Sequence, residues 1–145
     1  MIKKTVLILA LLIFNVLEVS MAQKATSIIG KWYNTEKDAI IEIFEERGKF
    51  FGRVVWLKEP LENGRPVLDS NNADRTKRNN PIIGLKLLEN FEFKAGIWEN
   101  GTIYDPRNGK TYSSTIRQKS ERVLEVRGFI GLSLIGRTVE WTRAE

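Results

Sequence analysis

The chain has 145 residues, 42% of them hydrophobic and 28% charged, a balance that suits one folded domain and excludes a chain disordered throughout. Histidine and cysteine are both absent, which excludes Ser-His-Asp and Cys-His nucleophile systems, disulfides and any ordinary zinc site. A formal charge of +5 favours acidic surfaces in general but is too small and too dispersed to argue for a nucleic-acid partner.

Met1 to Ala22 reads MIKKTVLILALLIFNVLEVSMA: two lysines, an unbroken apolar run from Val6 to Phe14, then Ser20 and Ala22 around Met21. This is the pattern of a secretory signal peptide, with cleavage expected after Ala22. Ile2 to Val19 is also nearly long enough for a retained anchor helix, but no later stretch approaches that length. The expectation is therefore a leader over 1–22, a mature domain over 23–145 that is secreted or periplasmic, and no stable membrane anchor after cleavage. Loss of Lys3, Lys4 and Glu18 leaves a net charge of +4. With no cysteine to form disulfides, the hydrophobic core alone has to hold the fold.

From Gly30 onward the pattern is short and two-fold. Strands are expected near Gly30–Asn34, Ala39–Glu45, Lys49–Leu57, Leu85–Glu92, Gly96–Trp98, Thr102–Tyr104, Lys110–Lys119, Val123–Ile130 and Arg137–Arg143. Arg47-Gly48, Asn100-Gly101 and Asn108-Gly109 supply the positive-φ residues of tight turns between them. No stretch after the leader has convincing helical periodicity. The fold class is all-β: an antiparallel meander of about eight to nine strands, closed into a barrel or folded as a sandwich.

Lys58 to Asn80, KEPLENGRPVLDSNNADRTKRNN, breaks the rhythm with two prolines, a glycine and many Asn and Asp residues. A connection this long suits a flap beside a barrel mouth. Its portion from Asp69 begins like a calcium loop, but Ala73, Asp74 and Asn80 stand where a ligand, the turn glycine and the bidentate glutamate belong, so an EF-hand site is not expected and an irregular cation site is the option left open there.

IYDPRNGKTY, Ile103 to Tyr112, offers Tyr104, Asp105 and Tyr112 as polar anchors at a pocket rim, but the turn chemistry favours the plainer reading in which Asp105 caps its own turn. On Val123–Ile130, Glu125 and Arg127 share one face; inward, they form a buried ligand anchor, and outward, a solvated pair. Trp56 and Trp98 lie near the flap and a turn, positions suited to a mouth, whereas Trp32 and Trp141 suit a core. Glutamates on strands, such as Glu42 and Glu140, are solvated faces unless a cleft sets them at a fixed separation.

Two resemblances follow. Gly30-x-Trp32 on the opening strand and Arg143 on the closing one, after Trp141, resemble the lipocalin (calycin) arrangement, which implies that the first-strand indole fills the narrow barrel end under a guanidinium. The order GKWYN, EIFEERGKFFGRVVWL, NPIIGLKLLENFEF, WENGTIYDPRNGKTYSSTI, LEVRGFIGLSLIGRTVEWTR resembles the bacterial exported domain-of-unknown-function family 2147 over nearly the whole mature chain. That resemblance implies a lipocalin-like barrel without an established activity.

The resulting functional expectation is a non-catalytic, exported module of the cell envelope. It binds a small apolar or amphipathic molecule, a lipid or a glycan fragment, through Trp56, Trp98, Tyr104, Asp105 and Arg127, without cofactor or metal. The alternative is an envelope interaction protein with a filled interior and a protein partner the sequence does not identify.

Overall fold

The computed structural model describes residues 24–131 and 135–145; the leader expected over 1–22 lies outside the described residues. A 3-10 turn, Thr26–Ile28, leads into ten strands: β1 (Gly30–Tyr33), β2 (Ala39–Glu46), β3 (Lys49–Leu57), β4 (Leu61–Glu62), β5 (Arg65–Pro66), β6 (Lys86–Lys94), β7 (Ile97–Asp105), β8 (Lys110–Ser120), β9 (Val123–Phe129) and β10 (Gly136–Arg143). Eight of them close into an antiparallel barrel in the order β1-β2-β3-β6-β7-β8-β9-β10, and β4 with β5 forms a separate two-stranded ribbon. Closure, rather than a sandwich, leaves no long sheet edge.

Chain direction sorts the connections between two ends. Arg47-Gly48, Ala95-Gly96 and Glu121-Arg122 turn the chain in two residues at one end. Arg47, Gly48, Ala95 and Gly96 all have positive φ, which matches the twist of paired strands. The longer connections, 34–38, 58–85, 106–109 and 130–135, all lie at the other end. One end is thus tight and the other open.

Two features depart from simple alternation. Asn100-Gly101 is no turn: β7 runs straight through it, with Asn100 at φ 60° absorbed as a bulge. Gly101 lies under the Phe91 ring, so close that a Cβ there would sit 2.4 Å from it. The missed turn is Ala95-Gly96. In β3, the register slips against β2 between Ile40 and Ile41, so that Ile41 faces Val54 while Ile40 faces Trp56. This bulge turns Trp56 outward, although strict alternation groups it with the inward Phe50, Gly52 and Val54.

The tight end is filled. Trp32, Phe50, Phe91, Trp98, Ile116 and Leu124 are almost wholly buried there, with Trp98 edge-on to Phe50 and tilted against Phe93. The turn 26–28 closes the floor: the Trp32 indole N–H donates to the Ile28 carbonyl at 2.8 Å and that of Trp98 to the Ala25 carbonyl at 3.1 Å. Arg143 locks the seam. Its guanidinium carbon lies 4.1 Å from the Trp32 ring centroid, and its nitrogens donate to the carbonyls of Ser27 (2.8 Å), Ile29 (3.2 Å) and Glu121 (2.9 Å). Gly30 is obligatory beneath it, because a Cβ would come within 2.9 Å of the guanidinium at a φ of +131°.

β1 is short. It pairs with β10 only through Trp32 and Tyr33, opposite Arg143 and Thr142. Higher up, the Thr35 hydroxyl donates to the Glu140 carbonyl at 3.0 Å.

Replacing Arg143 with Ala removes one cation–π contact and three charged hydrogen bonds at once. The expected loss is about 2 to 4 kcal/mol in urea unfolding, with Arg143→Lys recovering only part of it. A loss under about 0.5 kcal/mol for Arg143→Ala contradicts the lock.

Candidate functional site

The size of the inward side chains falls from the tight end to the open one. Below, the lumen holds indoles and phenyl rings; above, Ala39, Ile41, Val54, Ile103, Val126, Gly128 and Val139 face it. Small and aliphatic residues cannot meet across a barrel, and a cavity of about 1170 Å³ remains. Trp141 also borders it. All four open-end connections contribute to its wall and rim. Among ligand pockets, typically about 300–1,000 Å³, this one is large.

Polar groups ring the mouth. Arg107 reaches Glu36 at 3.5 Å and Asp38 at 3.4 Å, tying the 106–109 turn to the 34–38 connection across exposed ion pairs that contribute little each. Asn34 shapes that connection by accepting the backbone N–H groups of Asp38 and Ala39. The Asn108 amide donates to the Tyr112 hydroxyl at 3.0 Å. Arg137 borders the cavity opposite Gly128, which has no side chain to cover it.

The 58–85 segment is fastened over one side of the mouth. Ile82 N–H donates to the Val67 carbonyl and Gly84 N–H to that of Val54, with Leu68 and Pro81 bridged. Asp74 caps the short 3-10 turn Arg75–Lys77, and hydrogen bonds from the Thr76 side chain and backbone hold its carboxyl below the ordinary value. Two contacts carry the attachment. Asp69, fully buried, accepts from the Tyr104 hydroxyl and the Asn72 amide, each at 2.7 Å. The Asn71 amide donates to the Pro106 and Arg107 carbonyls at 3.1 Å. Burial first, then the Asp69 hydrogen bond, pushes the Tyr104 phenol up to about 12.

Of the residues selected from sequence, Tyr104 and Asp105 border the cavity. Asp105 also caps its turn by accepting the Arg107 N–H at 2.9 Å. The other three stand elsewhere. Trp56 lies on the outer wall, edge-on to Tyr33 at 6.2 Å, because of the β3 bulge. Trp98 belongs to the closed-end core, 1% exposed, since the turn before it is at Ala95-Gly96 and sends it inward at the tight end. Arg127 points outward and donates to the Thr138 hydroxyl at 3.2 Å, while its neighbours Leu124 and Val126 face in. Glu42 and Glu140 likewise lie outside, paired with Arg53 and Lys119. Among the described residues no group of three or more acidic side chains could hold a metal. Sequence reasoning missed the aliphatic lining itself, for which the signal was present: Val126-x-Gly128 facing Arg137-x-Val139 across a hairpin.

The model of the family described as "Uncharacterized protein conserved in bacteria (DUF2147)" matches residues 30–143. No curated protein sequence matches the chain. Among solved structures, protein HP1028 from the human pathogen Helicobacter pylori, described as belonging to the lipocalin family, superimposes with a TM-score of 0.72 at 22% identity, covering 81% of this chain and 83% of that one. The likeness is one of fold.

Tyr104→Phe strands the buried Asp69 carboxylate, at an expected cost of about 1 to 3 kcal/mol, and makes the 58–80 segment the first site of limited proteolysis. Alkaline titration supplies a second check. A phenol whose folded value is raised, from 10 in the free side chain to about 12, adds stability that is complete below pH 10 and is lost as pH climbs through 12. The tyrosinate absorbance should show a late component near pH 12 that Tyr104→Phe deletes.

Proposed function

The chain belongs to the bacterial DUF2147 family and has a lipocalin-like barrel, and from that premise we propose that it is a binding protein which holds a small apolar or amphipathic molecule in its lumen and does no chemistry on it. The observation that carries this reading is the cavity of about 1170 Å³, aliphatic within and polar at its rim. An apolar chain placed there exchanges water for Ile41, Val54, Val126 and Val139, and its polar end stays among Tyr112, Asn108 and Arg137. Lipid-like ligands suit this lining better than glycans, which bind by stacking on aromatic faces; most of the indoles and phenyl rings are spent on the filled end or, like Trp56, on the outer wall.

A non-catalytic role is supported by how three of the five carboxylates that border the cavity are used: Arg107 engages Glu36 and Asp38, and a backbone N–H engages Asp105. Glu59 and Glu62, the other two, are exposed on the 58–85 segment, and Asp69 nearby is engaged by Tyr104. The leader-like 1–22 segment supports a secreted or periplasmic protein of the cell envelope, with residues 23–145 as the working domain. A wholly structural role with a filled interior is disfavoured by the hollow upper half.

Gly128 allows a clean test. Its φ is ordinary, and a Cβ added there meets nothing closer than 3.4 Å, so Gly128→Phe can place a ring in the lumen without backbone strain. Fluorescent fatty-acid and isoprenoid probes should bind the unaltered protein saturably, and Gly128→Phe should weaken them at least about tenfold while the melting temperature stays within a few degrees. Absence of saturable binding to either probe class, or equal binding by the variant, defeats the proposal.

A further inference from the structure

Two of the connections at the open end stand on opposite sides of the mouth. Between the β1–β2 connection (34–38) and the β7–β8 turn (106–109) lie as many strands in one direction around the closed barrel as in the other: β2, β3, β6 and β7 one way, β8, β9, β10 and β1 the other. The two are nevertheless joined, because Arg107 reaches Glu36 at 3.5 Å and Asp38 at 3.4 Å. All three residues border the cavity. The guanidinium therefore lies across the mouth and not along its edge.

The backbone at both ends of this bridge is fixed. The Asn71 amide donates to the Pro106 and Arg107 carbonyls, and Gly109, at φ +72°, packs so closely on the Asn71 carbonyl that a Cβ would overlap it. On the facing side, Lys58 N–H donates to the Asp38 carbonyl at 2.8 Å, and the Asn34 side chain accepts the N–H groups of Asp38 and Ala39. What joins the two ends is weaker. The Arg107 side chain is 62% exposed and those of Glu36 and Asp38 are each 48% exposed, a setting in which ion pairs are worth little. Exposed side chains change rotamer in picoseconds to nanoseconds. Arg107 can thus swing clear while neither connection moves, and two carboxylates within its reach return it.

We infer that Arg107 is a swinging bar that sets the size of the molecules admitted to the lumen. As a filter for ligands, the bar rests on the reading of the lumen as a binding site. Thin, flexible molecules pass beside it, and bulky ones enter only while the guanidinium is released.

The chain has no cysteine, so Gly128→Cys places a single thiol on the cavity wall, where an added Cβ meets nothing closer than 3.4 Å. The test compares how fast that thiol reacts with N-ethylmaleimide and with a maleimide carrying a bulky dye. Adding Arg107→Ala should speed the bulky reagent about three- to tenfold, the scale of two exposed ion pairs, and leave N-ethylmaleimide within about twofold. Glu36→Gln with Asp38→Asn should act in the same way, as should about 1 M salt on the unaltered mouth. Arg107→Glu should also speed the bulky reagent, and pairing it with Glu36→Lys should restore slow entry by rebuilding the bridge with its charges exchanged. Labelling needs no ligand, so it reports on the bar whether or not the fatty-acid and isoprenoid probes bind. Unchanged bulky labelling in Arg107→Ala, equal acceleration of both reagents, or failure of the exchanged pair to restore slow entry each overturns the proposal.

Discussion

The Arg143 guanidinium over the Trp32 indole is the contact on which the barrel's closure depends. Residues from opposite ends of the described chain meet there, and neither strand could close the barrel without the other. The indole fills the narrowing lumen, and the guanidinium satisfies three carbonyls that would otherwise face each other unpaired at the seam. The 3-10 turn Thr26–Ile28 completes the floor because its carbonyls are the acceptors for both the Arg143 and Trp32 donors. Remove that meeting point and the tight end has no lid.

With one end fixed, the other is free to specialise. Two-residue turns confine the chain at the tight end, and the aromatic residues that need the most burial gather there. Longer connections gather at the open end, where inward positions are small or aliphatic. Container and stopper thus come from one gradient in side-chain size along the barrel axis. The 58–85 segment belongs to the same logic: its attachment runs through Asp69 to Tyr104 on β7 and through Asn71 to the β7–β8 turn, so a long connection is held without a core of its own.

Much of this was legible in the sequence. Period-two alternation placed seven of the eight barrel strands and divided β7 into two at Asn100-Gly101, and the Gly30-x-Trp32 and Trp141-x-Arg143 ends pointed to the closure. Site residues were harder, for a physical reason: face assignment on a strand depends on counting, and a single inserted residue reverses it. The bulge opposite Ile40 and Ile41 put Trp56 outside, and the unrecognised Ala95-Gly96 turn hid the fact that Trp98 enters the core. Arg127 followed the plainer rule, pointing away from the apolar Leu124 and Val126. The Asp69–Tyr104 bond joins residues 35 apart through a buried carboxylate, and nothing local in either segment announces it.

The brevity of β1 has a mechanical consequence. Its ladder with β10 ends at Tyr33 opposite Thr142, so above that level the wall between the 34–38 connection and β10 is stitched, among the described residues, by the Thr35 hydroxyl on the Glu140 carbonyl. Prying the two apart there ruptures one side-chain bond and no interstrand ladder, whereas widening the barrel between other neighbouring strands tears backbone pairs, fewest between β3 and β6, where register shifts interrupt three pairs. The cylinder is built like a split collar, stiff around most of its circumference and compliant along one line, and that line runs beside the cavity.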